Sequence, residues 1–270
     1  MLSLPAAFAT RVRDVHGERG RTWLAELPRL LEKCRNRWSL AVDPPVANLS
    51  YNFIAPARLI DGTEAILKLG VPHREFSCQI EALRLFDGRG AVRLIDADPD
   101  VGAMLLERAV PGDPLWDMGD EEAAPIVARV MKELWRPAPD VQSLPTLADW
   151  VRRFDRLRAR FNGSTGPLPE PMVRKAERLF DELGADRAPV LLHGDLHHGN
   201  VLSARRAPWL AIDPKGVVGP REFEVGAFMR NPLHAVMSSP DPARRLGRRI
   251  ALLSEHLGFP KQVVRDWAFV

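Results

Sequence analysis

The sequence predicts an α+β protein of two lobes: a small antiparallel sheet with one inserted helix over residues 1–109, then a mainly helical lobe over 110–270. Three observations lead there. Short apolar runs with a hairpin turn fill the first hundred residues, and after 110–118 (VPGDPLWDM) the apolar spacing changes to a period of 3.6. Three short strand-like runs then interrupt the helical half, near residues 190–213.

In order, Trp23, Leu24, Leu27, Leu30, Leu31 and Trp38 have the spacing of an amphipathic helix. Residues 46–58 and 59–70 read as strand-like, with Asp61-Gly62 turning between two apolar runs. Residues 74–86 (REFSCQIEALRLF) form a helix stopped by Gly88 and Gly90. Strands follow at 91–96 and 102–107, joined by the acidic, proline-bearing turn 97–100. In the second half, 120–135, 146–161 and 170–184 are helical with acidic residues near their starts, and 162–170 is a loop. Strands are expected at 189–193, 200–203 and 209–213, and a last helical segment at 241–268, with Asp241-Pro242 as its start.

Composition removes several function classes. The 270 residues carry 38 Lys+Arg against 35 Asp+Glu, a net charge of +3, with 46% hydrophobic and 27% charged residues. That is ordinary globular chemistry, neither disordered nor dense enough in cations for a nucleic-acid binder. Arg244, Arg245, Arg248 and Arg249 read as a solvated helix face. Cys34 and Cys78, without Cys-x-x-Cys spacing, read as inert core thiols and fit a cytoplasmic protein. The apolar opening MLSLPAAFAT lacks a basic n-region and is broken by Pro5, so it is not expected to be a signal peptide. No run approaches 18 uninterrupted apolar residues, and no membrane contact is expected.

The chemistry concentrates in Val190–Lys215, VLLHGDLHHGNVLSARRAPWLAIDPK. His193-Gly194-Asp195, four residues and Asn200 give the His-x-Asp-x4-Asn spacing of a phosphoryl-transfer loop, in which the Asp meets the acceptor hydroxyl and the Asn binds metal. Asp213 closes the apolar run Trp209–Ile212, where a carboxylate can join Asn200 on Mg2+. In this reading His193 holds the loop by hydrogen bonds. A rival reading makes His193, Asp195, His197 and His198 the centre of a metal-dependent hydrolase, since imidazole and carboxylate suit zinc or iron. A catalytically silent binding module is a third. Upstream, Ala65-Ile66-Leu67-Lys68 sets one lysine in an apolar strand, as in a lysine that pairs with nucleotide phosphates. Such a lysine is positioned by a carboxylate of the next helix: Glu81 is the choice, and Glu75 the alternative, closer to the strand-to-helix turn.

With these residues in hand, the chain resembles the aminoglycoside phosphotransferase family, which shares the protein-kinase fold. Residues 81–94 (EALRLFDGRGAVRL), 105–108 (LLER) and Pro111-Gly112 look like the streptomycin 6-phosphotransferase and hydroxyurea phosphotransferase branch. The likeness covers roughly residues 45–235. It implies that Asp195 orients or deprotonates the acceptor hydroxyl, that Asn200 and Asp213 bind Mg2+, and that Lys68 with Glu81 holds the α/β-phosphates of ATP. It also implies that the backbone from Glu107 to Ala109 meets adenine.

Two departures stand out. The phosphate-covering loop falls at Leu49–Ala55 (LSYNFIA) without a glycine, so Ser50 and Asn52 must supply the cover with nearby amides. The metal triplet is Asp213-Pro214-Lys215 rather than Asp-Phe-Gly, which argues for a constitutively assembled site. The expected partner is a small-molecule acceptor, an aminoglycoside such as streptomycin. Asp113, Asp117, Asp120, Glu121, Glu122, Glu222 and Glu224 are candidates for an acidic acceptor cleft, the last two by following the metal strand directly.

Overall fold

Hydrophobic alternation and helical spacing give the same element types in the structure, a computed structural model that describes residues 4–139, 143–184 and 187–270. The described chain forms two compact units. One runs to Gly88 and includes Val92–Ala109; the other comprises Arg89–Ala91 and Val110–Val270.

The first unit contains α1 (Ala6–Trp38), β1 (Ala41–Val42), β2 (Phe53–Arg58), β3 (Glu64–Leu69), α2 (Arg74–Phe86), β4 (Leu94–Asp98) and β5 (Ala103–Glu107). Its antiparallel sheet has the order β1-β2-β3-β5-β4. The Asp61-Gly62 turn closes the β2–β3 hairpin, with Arg58 opposite Glu64 and Asp61 Oδ1 accepting from Thr63 N at 2.9 Å. Phe8, Val12, Trp23, Leu27, Leu31 and Cys34 of α1 share one core with Phe53, Leu67, Leu69 and Leu105 of the sheet. α1 begins 17 residues before the apolar spacing that predicts it, because no apolar residue is buried between Val12 and Trp23. Gly17 (φ 56°) breaks the helix in that polar stretch. Met1–Ser3 of the apolar opening lie outside the described residues; Ala6 onward is helix.

The second unit contains β6 (Pro111–Pro114), α3 (Asp120–Leu134), β7 (Arg136–Pro137), α4 (Leu147–Arg160), α5 (Glu170–Gly184), β8 (Val190–Leu192), β9 (Val201–Ala204), β10 (Trp209–Ala211) and β11 (Val217–Gly219). It ends with α6 (Val225–Arg230), α7 (Leu233–Met237), α8 (Pro242–Leu257) and α9 (Lys261–Phe269). Two three-stranded sheets, β10-β9-β6 and β11-β8-β7, lie among the helices. β6 comes from the segment read as a loop; its two prolines are tolerated because it is an edge strand beside β9. The expected single helix at 241–268 is two, parted by Gly258 (φ 75°) and Pro260, while Asp241 caps α8 as predicted, accepting from Arg244 N at 2.9 Å.

The arginine quartet of α8 is only partly a solvated face: Arg244 and Arg248 are exposed, whereas Arg245 is half-buried and Arg249 buried. Arg249 is fully buried and meets Asp120 at 2.8 Å, Arg245 meets the same carboxylate at 2.8 Å, and Arg248 pairs with Glu121. Arg249 also donates to the carbonyls of Phe228, Met229 and Asn231, satisfying the end of α6. Burial pushes the Asp120 carboxyl up, but the two guanidiniums outweigh it and hold it below the usual carboxylate range.

Candidate active site

In the second unit, the turn after β8 is built on His193. Its Nδ1 accepts from Asp195 N at 3.3 Å and its Nε2 pairs with Ile212 O at 2.8 Å, so the ring is the neutral Nε2–H tautomer. Full burial agrees, pushing its pKa down to about 4. The His193 carbonyl accepts from Lys215 N at 2.7 Å, which ties the turn to the strand end carrying Asp213.

The β9–β10 hairpin brings the two candidate metal residues together. Val201 pairs with Ala211, and Ile212 N donates to Asn200 O at 2.9 Å, so Asn200 and Asp213 leave the hairpin side by side. Asn200 Nδ2 donates to Asp195 O at 2.9 Å, which leaves Oδ1 as the atom for a cation. Asp213 has φ 57°, a left-handed conformation that a non-glycine residue adopts only at a cost. Asp195 is half-buried and reachable from solvent.

Glu224, offered by the sequence as a contact for the acceptor, is 1% exposed and faces inward. Its two oxygens accept from His193 N and Gly194 N, both at 2.8 Å, and burial pushes its pKa up to about 7. It supports the backbone of the turn that carries Asp195. Glu222 pairs with Arg187 and is also buried. No sequence pattern separates these two carboxylates from surface ones, because only the packing behind β8 decides which way they point.

The geometry does not favour the transition-metal reading. Both nitrogens of His193 are used by the backbone, and His197 Nδ1 accepts from Gly199 N at 3.0 Å. His198 is stacked on Phe228, with ring centroids 4.3 Å apart, and lies parallel to Trp116 at 6.3 Å. Among the described residues, no group of three or more His, Cys, Asp or Glu could hold a metal ion. Trp116, to which no motif assigns a role, packs so closely over the loop that a Cβ on Gly199 would stand 2.2 Å from its ring.

In the first unit, Lys68 is 2% exposed on β3 and donates to Gln79 Oε1 at 2.8 Å. Glu81, expected in that position, pairs instead with Arg84 at 3.7 Å. Two residues along a helix is about 200°, so Gln79 and Glu81 cannot face the same strand. Asn52 is half-buried with Oδ1 against Gly70, while Ser50 is exposed and its carbonyl accepts from Arg11 at 3.2 Å. Glu107 is tied to Arg93: its backbone N donates to Arg93 O and its Oε2 accepts from Arg93 N, both at 2.9 Å. Ala109 ends the unit.

A family model described as "Aminoglycoside/hydroxyurea antibiotic resistance kinase" matches residues 37–270. The chain belongs to this family. It is 32% identical to a streptomycin 6-kinase of Streptomyces glaucescens, an alignment covering 100% of this chain and 88% of the relative. It is also 32% identical to a hydroxyurea phosphotransferase of Kitasatospora aureofaciens, over 99% of this chain and 77% of that one. Among solved structures, a macrolide 2'-phosphotransferase from Brachybacterium faecium superposes with a TM-score of 0.60 at 16% identity, covering 91% of this chain and 88% of its own. An aminoglycoside phosphotransferase from Streptomyces rimosus, in complex with ADP and streptomycin, gives 0.57 at 19% identity, covering 90% and 97%. The fold is therefore the protein-kinase-like α+β fold of these phosphotransferases, and family membership makes the protein a phosphotransferase with a hydroxyl acceptor.

Proposed function

We propose that the protein transfers the γ-phosphoryl group of ATP to a hydroxyl of an aminoglycoside such as streptomycin. The observation that carries the transfer reading is the Asp195 turn: a reachable carboxylate whose own carbonyl is held by Asn200, on backbone pinned by Glu224. The acceptor class follows the names of the relatives, streptomycin 6-kinases among them.

Asp195 orients the acceptor hydroxyl and takes its proton at the carboxylate. Lys68 holds the α/β-phosphates, with Gln79 fixing its ammonium. Ser50 and Asn52 cover the phosphates, and the backbone from Glu107 to Ala109 receives adenine. Asn200 Oδ1 and the Asp213 carboxylate are hard oxygen donors, so they fit Mg2+ and would be the residues that hold it. A Mg2+ held by these two residues would supply neutralisation of charge on the phosphoryl oxygens. The remaining work is positioning, since phosphoryl transfer passes through a loose transition state.

The test is ATP-dependent phosphorylation measured over a panel of aminoglycosides, other amino sugars and hydroxyurea. Transfer to streptomycin supports the proposal. ATP binding with no transfer to any acceptor contradicts it and favours a silent binding module.

A further inference from the structure

Trp116 stands 42% exposed beside the Asp195 turn, and nothing in the transfer reading uses it. Its position is fixed from both sides. Leu115, the residue before it, is fully buried, and Met118 N donates to Leu115 O at 3.2 Å, closing a single tight turn around the indole. Opposite, the segment from Asp195 to Asn200 folds back on itself: Asn200 Nδ2 donates to Asp195 O and Asn200 N to His197 O, both at 2.9 Å. The indole lies against that segment, its centroid 5.7 Å from the His197 ring and 6.3 Å from the His198 ring. Gly199 makes the room for it, since a Cβ there would clash with the indole. The ring is thus seated on the loop whose ends are Asp195 and Asn200, and the rest of its surface is open to water.

The charges beside it suit a cation. Of the seven carboxylates offered by the sequence for the acceptor, Asp120, Glu121 and Glu222 pair with arginines and Glu224 with two backbone amides. Asp113 and Asp117, which flank Trp116 in sequence, are exposed, and among the described residues neither is in an ion pair. Asp113 is held in place by Ser203, whose Oγ accepts from its backbone N at 2.9 Å.

We propose that Trp116 is the platform on which a cationic group of the acceptor, a guanidinium or an ammonium, rests while Asp195 meets the hydroxyl. The proposal rests on the phosphotransferase reading and deepens it by naming a residue that selects the acceptor. A cation is attracted to the negative face of an indole, and a planar guanidinium also stacks on it. A ring already held by its surroundings loses little freedom when the acceptor settles. An uncharged hydroxyl compound gains contact area there but no attraction of charge.

Streptomycin binding is measured calorimetrically with ADP and Mg2+, so that the result does not depend on turnover, and steady-state kinetics are measured separately. Trp116→Leu should weaken streptomycin binding about fivefold or more, Trp116→Phe by less, and both should leave the KM for ATP within about twofold of wild type. Replacing the seven tryptophans by 5-fluoro- and then 5,7-difluorotryptophan withdraws charge from the indole face at nearly constant shape. Binding to the wild type should weaken stepwise with fluorination, and Trp116→Leu carrying the same labels should not respond. Unchanged streptomycin binding in Trp116→Leu, or binding indifferent to fluorination, overturns the proposal. Loss of ATP affinity and kcat with streptomycin binding unchanged overturns it too, and makes the ring a support of the loop alone. So does transfer to uncharged hydroxyurea in preference to streptomycin. Binding that depends on Trp116 and on fluorination, without transfer to any acceptor, supports the cation platform and overturns the phosphotransferase reading instead.

Discussion

Replacing Glu224 by Gln tests whether a buried carboxylate supports the turn that carries Asp195. The side chain is 1% exposed and accepts two backbone hydrogen bonds at 2.8 Å, from His193 and Gly194. Burial raises its pKa from 4.5 to about 7. Because the folded pKa lies above the unfolded one, its contribution to stability is complete below about pH 4.5 and is lost as pH rises through about 7. At roughly 1.4 kcal/mol per unit, the loss is ~3 kcal/mol across that window. His193, lowered to about 4, and His198, lowered to about 3, act in the opposite sense: they contribute stability above the ordinary histidine pKa of 6.5 that is lost as pH falls toward those values. The difference between wild type and Glu224→Gln therefore isolates the carboxylate. Urea denaturation from pH 4.5 to 8 should show wild type losing ~3 kcal/mol relative to the variant. At low pH the variant should be the less stable by ~1–3 kcal/mol, because its amide NH2 faces one of the two backbone N–H donors. Parallel stability curves would refute the assignment of Glu224 as a buried support.

Three further outcomes follow from the same geometry. Asp213→Ala should abolish turnover and Mg2+-dependent nucleotide binding, measured by titration with and without Mg2+, while the circular dichroism spectrum stays that of the wild type; undiminished activity would remove Asp213 from the site. Lys68→Ala should raise the KM for ATP and slow transfer in steady-state kinetics, and unchanged ATP affinity would count against a phosphate role. Asp120→Ala leaves Arg249 buried without its carboxylate and should cost about 3 kcal/mol or more by denaturant unfolding. Arg248→Ala, in a pair whose side chains are 60% and 51% exposed, should cost less than ~1 kcal/mol, and equal losses in the two variants would contradict the burial difference.

The clustering of His193, Asp195, Asn200 and Asp213 was legible because the motif places fixed residue types at fixed spacing in one stretch, and the structure holds that stretch together by His193, Asn200 and the β9–β10 hairpin. The hairpin at Asp61-Gly62 and the helices after Gly119 were legible for a related reason: turn chemistry and apolar periodicity are local. Features that depend on partners distant in sequence were not. Gln79 rather than Glu81 meets Lys68 because the rotation of α2 against β3 decides it, and both residues are polar at positions the periodicity leaves open. Arg249 read as solvated because Asp120, 129 residues away, is its partner. The first half of α1 was hidden by the polar stretch around Gly17, and β6 by its own prolines.

The central claim is that Asp195 serves the acceptor hydroxyl and not the nucleotide, and the variant Asp195→Asn tests it most directly. Asparagine keeps the shape and the backbone carbonyl that receives Asn200 Nδ2, but cannot take a proton. With streptomycin or the best acceptor of the panel, phosphoryl transfer should fall by about 10²–10⁴ in kcat, with the ATP dissociation constant within about twofold of wild type. Retention of wild-type kcat, or loss of ATP binding in this variant, would contradict the account.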